Sequence, residues 1–159
     1  MISSKFIIIL MKNTFNRLLQ TRKNILALYE KHEDIAFTIP KGFKNHLYWN
    51  LAHCVVTQQI LCYKLSNNDM LLENEFIDAY KKGTVPNSDV VPEFEVSKTK
   101  ELLFTTLEQL EKDYQLGLFS NFNAYSTSYG LQLNSFEDAI QFNAIHEALH
   151  LGYMMAMVK

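Results

Sequence analysis

Glycine and proline are scarce in this chain, with five and three among 159 residues. That scarcity disfavours a turn-rich β architecture and suits long helices. Neither charge dominates: 15 basic residues face 17 acidic ones, for a formal charge of −2. Lys and Arg are scattered rather than gathered into a stripe, so the chain lacks the electrostatic footprint of a nucleic-acid binder. Long apolar runs are missing as well. The run Phe6-Ile7-Ile8-Ile9-Leu10-Met11 falls far short of the ~20 residues that cross a bilayer. It is also below the ~7–15 residues of a secretory core and has no small-x-small cleavage site. We read residues 1–10 as an N-terminal extension and residues 11–159 as one domain, expected to be soluble and cytoplasmic.

Cysteine is limited to Cys54 and Cys62. Eight residues apart in one helical pattern, they stand about 12 Å apart by rise and cannot bridge each other. Small buried hydrophobes in a reducing compartment are their expected state. Cys54 adjoins His53, but adjacent helical residues point about 100° apart, which argues against Cys54 as a shared metal ligand.

Apolar residues make up 48% of the chain, enough for a hydrophobic core. Four long amphipathic segments carry them. The first, residues 12–32, repeats Phe15, Leu18, Leu19, Ile25, Leu26 and Tyr29 at 3–4 spacing; this period predicts a helix. The second, residues 43–65, holds Leu47, Leu51, Val55 and Cys62 on one stripe, with His46, Trp49, His53, Val56 and Ile60 beside it. A short helix over residues 71–82 follows, bounded by Gly83, Pro86 and Pro92, which break longer helices. The third long segment, residues 97–114, starts at Ser97 as a cap. Residues 117–134 read as a loop rich in Asn, Ser and Tyr. The fourth helix opens on Ser135 with Asp138 three later, a variant capping box, and runs to the C-terminus. The fold class expected is all-α, an up-down four-helix bundle with a short extra helix and long loops between helices two and three and between three and four.

Near the end of the chain stands His146-Glu147-Ala148-Leu149-His150. Two histidines at i,i+4 project from one helical face with Cβ atoms about 5–6 Å apart. Both rings can then reach one divalent ion at about 2.0–2.1 Å. Two imidazoles on an apolar face cost a few kcal/mol unless partnered, and one ion satisfies both. Taken literally the string is H-E-x-x-H, the signature of a zinc peptidase with Glu147 as general base. Such enzymes take their third ligand from downstream, and residues 151–159 contain no His, Asp, Glu or Cys. The third ligand must therefore come from upstream. His53, in the middle of the second helix among apolar neighbours, suits the role best. His46, two turns earlier, is expected near the pocket mouth, and His32, in the charged string Lys31-His32-Glu33-Asp34, in solvent.

Trp49-Asn50-Leu51-Ala52-His53, followed by His146-Glu147-Ala148-Leu149-His150-Leu151-Gly152, resembles the DinB/YfiT-like superfamily across nearly the whole chain after Met11. The resemblance implies a DinB-like four-helix bundle. It also implies a metal held by one histidine of helix two and an H-x-x-x-H pair of helix four, here His53, His146 and His150. For chemistry it implies metal-dependent transfer of low-molecular-weight thiols or thiol-dependent isomerisation, while other members have no assigned activity.

Three neutral imidazoles suit zinc, nickel, iron or copper. The expected cofactor is one divalent transition metal (zinc, nickel or iron), with a thiol as cosubstrate; hydrolysis of a small molecule is the companion reading. Glu147 and Tyr153 complete the candidate catalytic residues. Glu147 is turned about 100° from the metal face, where contact with a ligand histidine or a salt bridge suits it better than proton abstraction. Tyr153 lies one turn past His150, and Asn143 one turn before His146. Trp49 and Thr57 flank His53 as candidate pocket wall, and Phe119, Phe122, Tyr125 and Tyr129 as a lid or dimer contact. A small-molecule substrate and a second copy of the chain are the expected partners, with neither nucleic acid nor membrane. The alternatives are a non-catalytic dimeric bundle whose ion braces two helices, and the H-E-x-x-H peptidase.

Overall fold

The periodic segments become helices. The computed structural model describes residues 4–86 and 90–159, and in it α1 spans Ser4–Lys31, α2 Leu47–Cys62, α3 Asn74–Tyr80, α4 Glu93–Gln115 and α5 Phe136–Met157. The all-α bundle expected is formed by α1, α2, α4 and α5. Helix α5 packs chiefly on α1 and α2, and α4 on the same two. The pairs α1/α2 and α4/α5 thus face each other across the bundle. No helix among the described residues is long and apolar enough to cross a membrane.

Of the extension expected over residues 1–10, residues 1–3 lie outside the described residues. Residues 4–10 are the first turns of α1 rather than a segment set apart from it. Along α1 the buried stripe is Met11, Phe15, Leu18, Arg22, Ile25 and Tyr29, one face at helical spacing.

Helix α2 is the centre of the bundle. Every residue in it is buried except Thr57 and Ile60, as befits a helix that is apolar nearly all round. It starts at Leu47 rather than at residue 43 because His46 is its N-cap: the extended His46 accepts a 3.0 Å hydrogen bond at Nδ1 from the Trp49 amide. It ends in a 3-10 turn, Lys64–Ser66, closed by Asn67 in the left-handed conformation (φ 59°), which Asn tolerates better than most residues. The expectation for α4 also shifts. Its start is Glu93, directly after Pro92, and Ser97 lies one turn inside. Glu93 and Glu95 in the first turn complement the helix dipole there. Ser135 caps α5 as expected: its Oγ accepts from the Asp138 amide at 3.1 Å while Asp138 Oδ2 accepts from the Asn134 amide at 2.9 Å.

The segment expected as a plain loop contains a hairpin, β1 (Tyr125–Ser126) paired antiparallel with β2 (Gln132–Leu133). Gly130 takes a φ of 91° in its turn, a value that suits glycine. Two apolar clusters stack along the bundle. One gathers Ile25, Tyr29, Leu51, Leu103 and Met154, the other Phe15, Leu18, Leu61, Leu110, Phe136 and Ile140. Each fully buried Leu or Ile among them contributes about 1.5–3 kcal/mol relative to exposure.

Candidate metal centre

His53 comes from the middle of α2, and His146 and His150 from consecutive turns of α5, the helix packed against it. Their rings converge: centroids are 4.8 Å apart for His53 and His150, 5.2 Å for His53 and His146, and 4.4 Å for His146 and His150. One nitrogen from each ring lies within 4.8 Å of the other two. Ligands that share one ion at about 2.0–2.1 Å sit at most ~4 Å apart, so small ring rotations close the site.

Hydrogen bonds fix which nitrogens are free. His53 Nδ1 is 2.6 Å from the Tyr80 carbonyl oxygen, which can only accept, so Nδ1 carries the proton and Nε2 the lone pair. His150 Nδ1 lies 2.8 Å from Asn50 Oδ1. The Asn50 amide nitrogen already donates to Asn45 Oδ1 and the His46 carbonyl, so its oxygen faces His150 and accepts there. His150 is thereby held in the same tautomer. Such partners orient metal-binding imidazoles and raise their basicity. His146 Nδ1 is buried with no hydrogen-bond partner among the described residues, a polar atom that an ion or its ligands would satisfy.

Burial keeps all three rings neutral. It pushes the His146 pKa down to about 2, with the neighbouring His150 and His53 adding to the effect. Burial and His53 push His150 down to about 3. His53 is lowered by burial, against which the Tyr80 hydrogen bond acts. Neutral imidazole is the state a metal needs. Three such nitrogens, two of them pre-oriented, fit a divalent transition ion.

The histidines line a cavity of about 320 Å³. Thr57 and Ile60, the two residues of α2 that escape burial, form part of its wall, and Leu61, Leu65 and Phe142 add apolar surface. Thr57 Oγ1 sits 3.2 Å from His53 Nε2 and marks the direction of that lone pair, into the cavity. Behind His53 the Trp49 indole stacks at 4.5 Å and 13° between planes. It walls the ring rather than the cavity.

A family model described as the DinB superfamily matches residues 17–154, a span that includes all three histidines. The chain belongs to the DinB superfamily. A comparison with curated proteins finds no match.

Other candidate residues of this DinB-superfamily chain are placed elsewhere. Glu147 is fully buried, turned about 100° round α5 from His146, and Arg22 holds its carboxylate. Arg22 Nη2 donates to Glu147 Oε1 at 2.7 Å and Nε to Oε2 at 3.0 Å, while Asn143 Nδ2 donates to Oε1 at 2.9 Å. Arg22 Nη1 reaches the Leu103 carbonyl at 2.6 Å, so the clasp joins α1, α4 and α5. Glu147, a candidate catalytic residue better suited by its angle to a salt bridge, forms one, but inside the bundle rather than at the surface. Tyr153 is exposed and packs edge-on against Phe43 at 5.0 Å, beside a different surface depression from the histidine cavity. His46, expected at the pocket mouth, is engaged as the α2 cap. Cys54 is buried, and burial raises its thiol well above the ordinary range. Of the aromatic loop residues only Tyr125 lines the cavity, whereas Phe119 stacks on Phe136 at 4.2 Å in the core.

Sequence reasoning missed Arg22, Asn50 and Tyr80. Arg22 had a visible signal, a charge at helical spacing between Leu18 and Ile25 on the buried stripe. Asn50 lies between Trp49 and Leu51, one turn before Cys54, a polar residue in the apolar first half of α2 and also a signal. Tyr80 acts through its backbone, which no side-chain pattern reveals.

Proposed function

We propose that this protein is a divalent-metal-dependent enzyme acting on a small molecule. Transfer of a low-molecular-weight thiol is the favoured reaction class, and hydrolysis is the second. One observation carries the reading: two histidines with their Nδ1 protons tied back present Nε2 lone pairs beside a third histidine, on the wall of a cavity rather than in a sealed core. A structural ion is enclosed by protein ligands, whereas a catalytic ion keeps an open position.

His53, His146 and His150 would hold the ion. A bound zinc, nickel or iron ion supplies Lewis acidity that brings a coordinated thiol or water toward ionisation at neutral pH. The chain's own contribution is position and dryness. Tyr80 and Asn50 hold the ring orientations, and Ile60, Leu65 and Phe142 exclude water from one side of the cavity. Thr57 Oγ1 is the hydroxyl placed to hydrogen-bond a substrate atom near the ion. The peptidase alternative loses its general base, since the Glu147 carboxylate is occupied by Arg22.

The test is elemental analysis of purified protein, joined to turnover of thiol–electrophile pairs with and without chelator. One ion per chain, lost in His53→Ala, and chelator-sensitive thiol transfer are the expected results. Stoichiometric metal retained by His53→Ala would remove His53 from the centre. A metal-loaded protein inert toward every thiol–electrophile pair and every small ester or amide would favour an ion that only braces α2 and α5.

A further inference from the structure

The histidines account for one side of the cavity, and the rest of its wall has a charge pattern of its own. No Asp or Glu lines it, and Lys82 is its one lining residue with a full charge. Lys82 makes no ion pair among the described residues, whereas its neighbour Lys81 is paired with Asp78 at 2.7 Å. Two hydroxyls on the same lip, Tyr125 of β1 and Ser128 of the hairpin turn, have no hydrogen-bond partner among the described residues. The Thr127 hydroxyl between them differs, being engaged with Leu131 at 3.0 Å. An uncommitted ammonium and two uncommitted hydroxyls thus face a cavity with no acceptor charge of its own.

Neutral ligands leave an ion its whole double charge. Together with Lys82 the loaded cavity would hold three positive charges and no protein carboxylate to offset them. A neutral occupant leaves that excess in place, and a cationic one adds to it. Resting on the metal-enzyme reading above, we propose that the cavity takes a small anionic thiol, one that carries a carboxylate besides its sulfur. Lys82 is the residue that selects the negative charge. The sulfur goes to the ion, and the carboxylate goes to the Lys82 ammonium and the Ser128 and Tyr125 hydroxyls. Charge-assisted hydrogen bonds of this kind are the stronger ones. Lys82 is itself exposed, so the selection is moderate in size and weakens with salt.

The experiment uses the full chain loaded with cobalt(II), whose sulfur-to-metal absorption band reports thiol binding directly, without turnover. Three probes differ only in the tail: 3-mercaptopropionate, 2-mercaptoethanol and cysteamine. They differ in their own acidity, so the readout is the change in preference between wild type and the variants Lys82→Ala and Lys82→Glu. At low ionic strength, Lys82→Ala is expected to cut the preference for 3-mercaptopropionate over 2-mercaptoethanol by ~5-fold. Lys82→Glu is expected to shift the preference further, toward cysteamine, and all three proteins should bind cobalt equally. Cobalt bound equally, with the thiol preference unmoved in both variants, overturns the selection by Lys82 while leaving the metal reading intact. Failure of the wild type to bind cobalt at all overturns the metal reading and this inference with it.

Discussion

Glu147 offers the sharpest test of what the H-E-x-x-H string does here. Its carboxylate and the Arg22 guanidinium are both wholly buried and joined by three nitrogen–oxygen contacts of 2.7–3.2 Å. Burial alone would lower the Arg22 pKa, and the adjacent carboxylate more than offsets it, so the guanidinium stays charged. Glu147→Gln keeps the shape and removes the charge, leaving that guanidinium buried without a counter-ion. Breaking one side of a buried pair costs about 3–5 kcal/mol. Because Gln still offers a carbonyl to Arg22, we expect about 3 kcal/mol, or a fall in Tm of roughly 6–12 °C for a chain of this size. The double variant Arg22→Met/Glu147→Leu removes both charges and should recover more than half of the loss. Urea melts of wild type, Arg22→Met, Glu147→Leu and the double variant give the coupling, and metal analysis at a temperature where all are folded should find one ion in each. The opposite pattern would refute the reasoning: Glu147→Gln with unchanged melting but no activity would make Glu147 a proton-transfer group after all.

Three further outcomes follow from the same geometry. Asn50→Ala removes the acceptor that orients His150, and should weaken metal affinity by about 10–100-fold in chelator competition; unchanged affinity would show that His150 is oriented by other means. The metal-free protein should lose stability as pH falls below ~6.5, the ordinary histidine value. The unfolded chain then takes up protons that folded His146 and His150, with pKa values down to about 2 and about 3, do not. Urea midpoints at pH 7.5, 5.5 and 4.5 measure this, and the slope should shrink in His146→Phe/His150→Phe; equal slopes would refute it. Cys54 and Cys62 are fully buried with thiols raised by burial, so a disulfide reagent should label neither in the native protein and both in guanidinium; rapid native labelling would contradict their placement.

The helices and the histidine trio were legible because both depend on period. Spacing alone puts His146 and His150 on one face, and His53, in the middle of the second helix among apolar neighbours, is the histidine best suited to join them. What stayed hidden acts at right angles to that logic. The hairpin of β1 and β2 is two residues per strand, too short for alternation to register. The sequence offers His46 as a ring near the pocket, yet its backbone is extended at the start of α2 and its Nδ1 caps that helix. The Tyr80 carbonyl belongs to the end of α3 and meets His53 only once α3 has packed on α2.

The Arg22–Glu147 clasp shows how one string serves two architectures. On any α-helix the residue after a metal-facing histidine is swung about 100° around the axis. Where that direction leads to solvent or substrate, a glutamate can trade protons. In this bundle it leads inward, to the level where the two apolar clusters meet, with Ile140 of one below Glu147 and Met154 of the other above it on α5. A carboxylate there is tolerable only with a cation opposite, and Arg22 occupies the matching level on α1, between Leu18 and Ile25. Because Arg22 also bonds the Leu103 carbonyl and Thr106 on α4, the pair fixes how α5 is rotated against α1 and α4. That rotation is what keeps His146 and His150 aimed at the cavity. The glutamate therefore serves the histidines beside it by anchoring the helix that carries them, and its chemistry is confined to the interior.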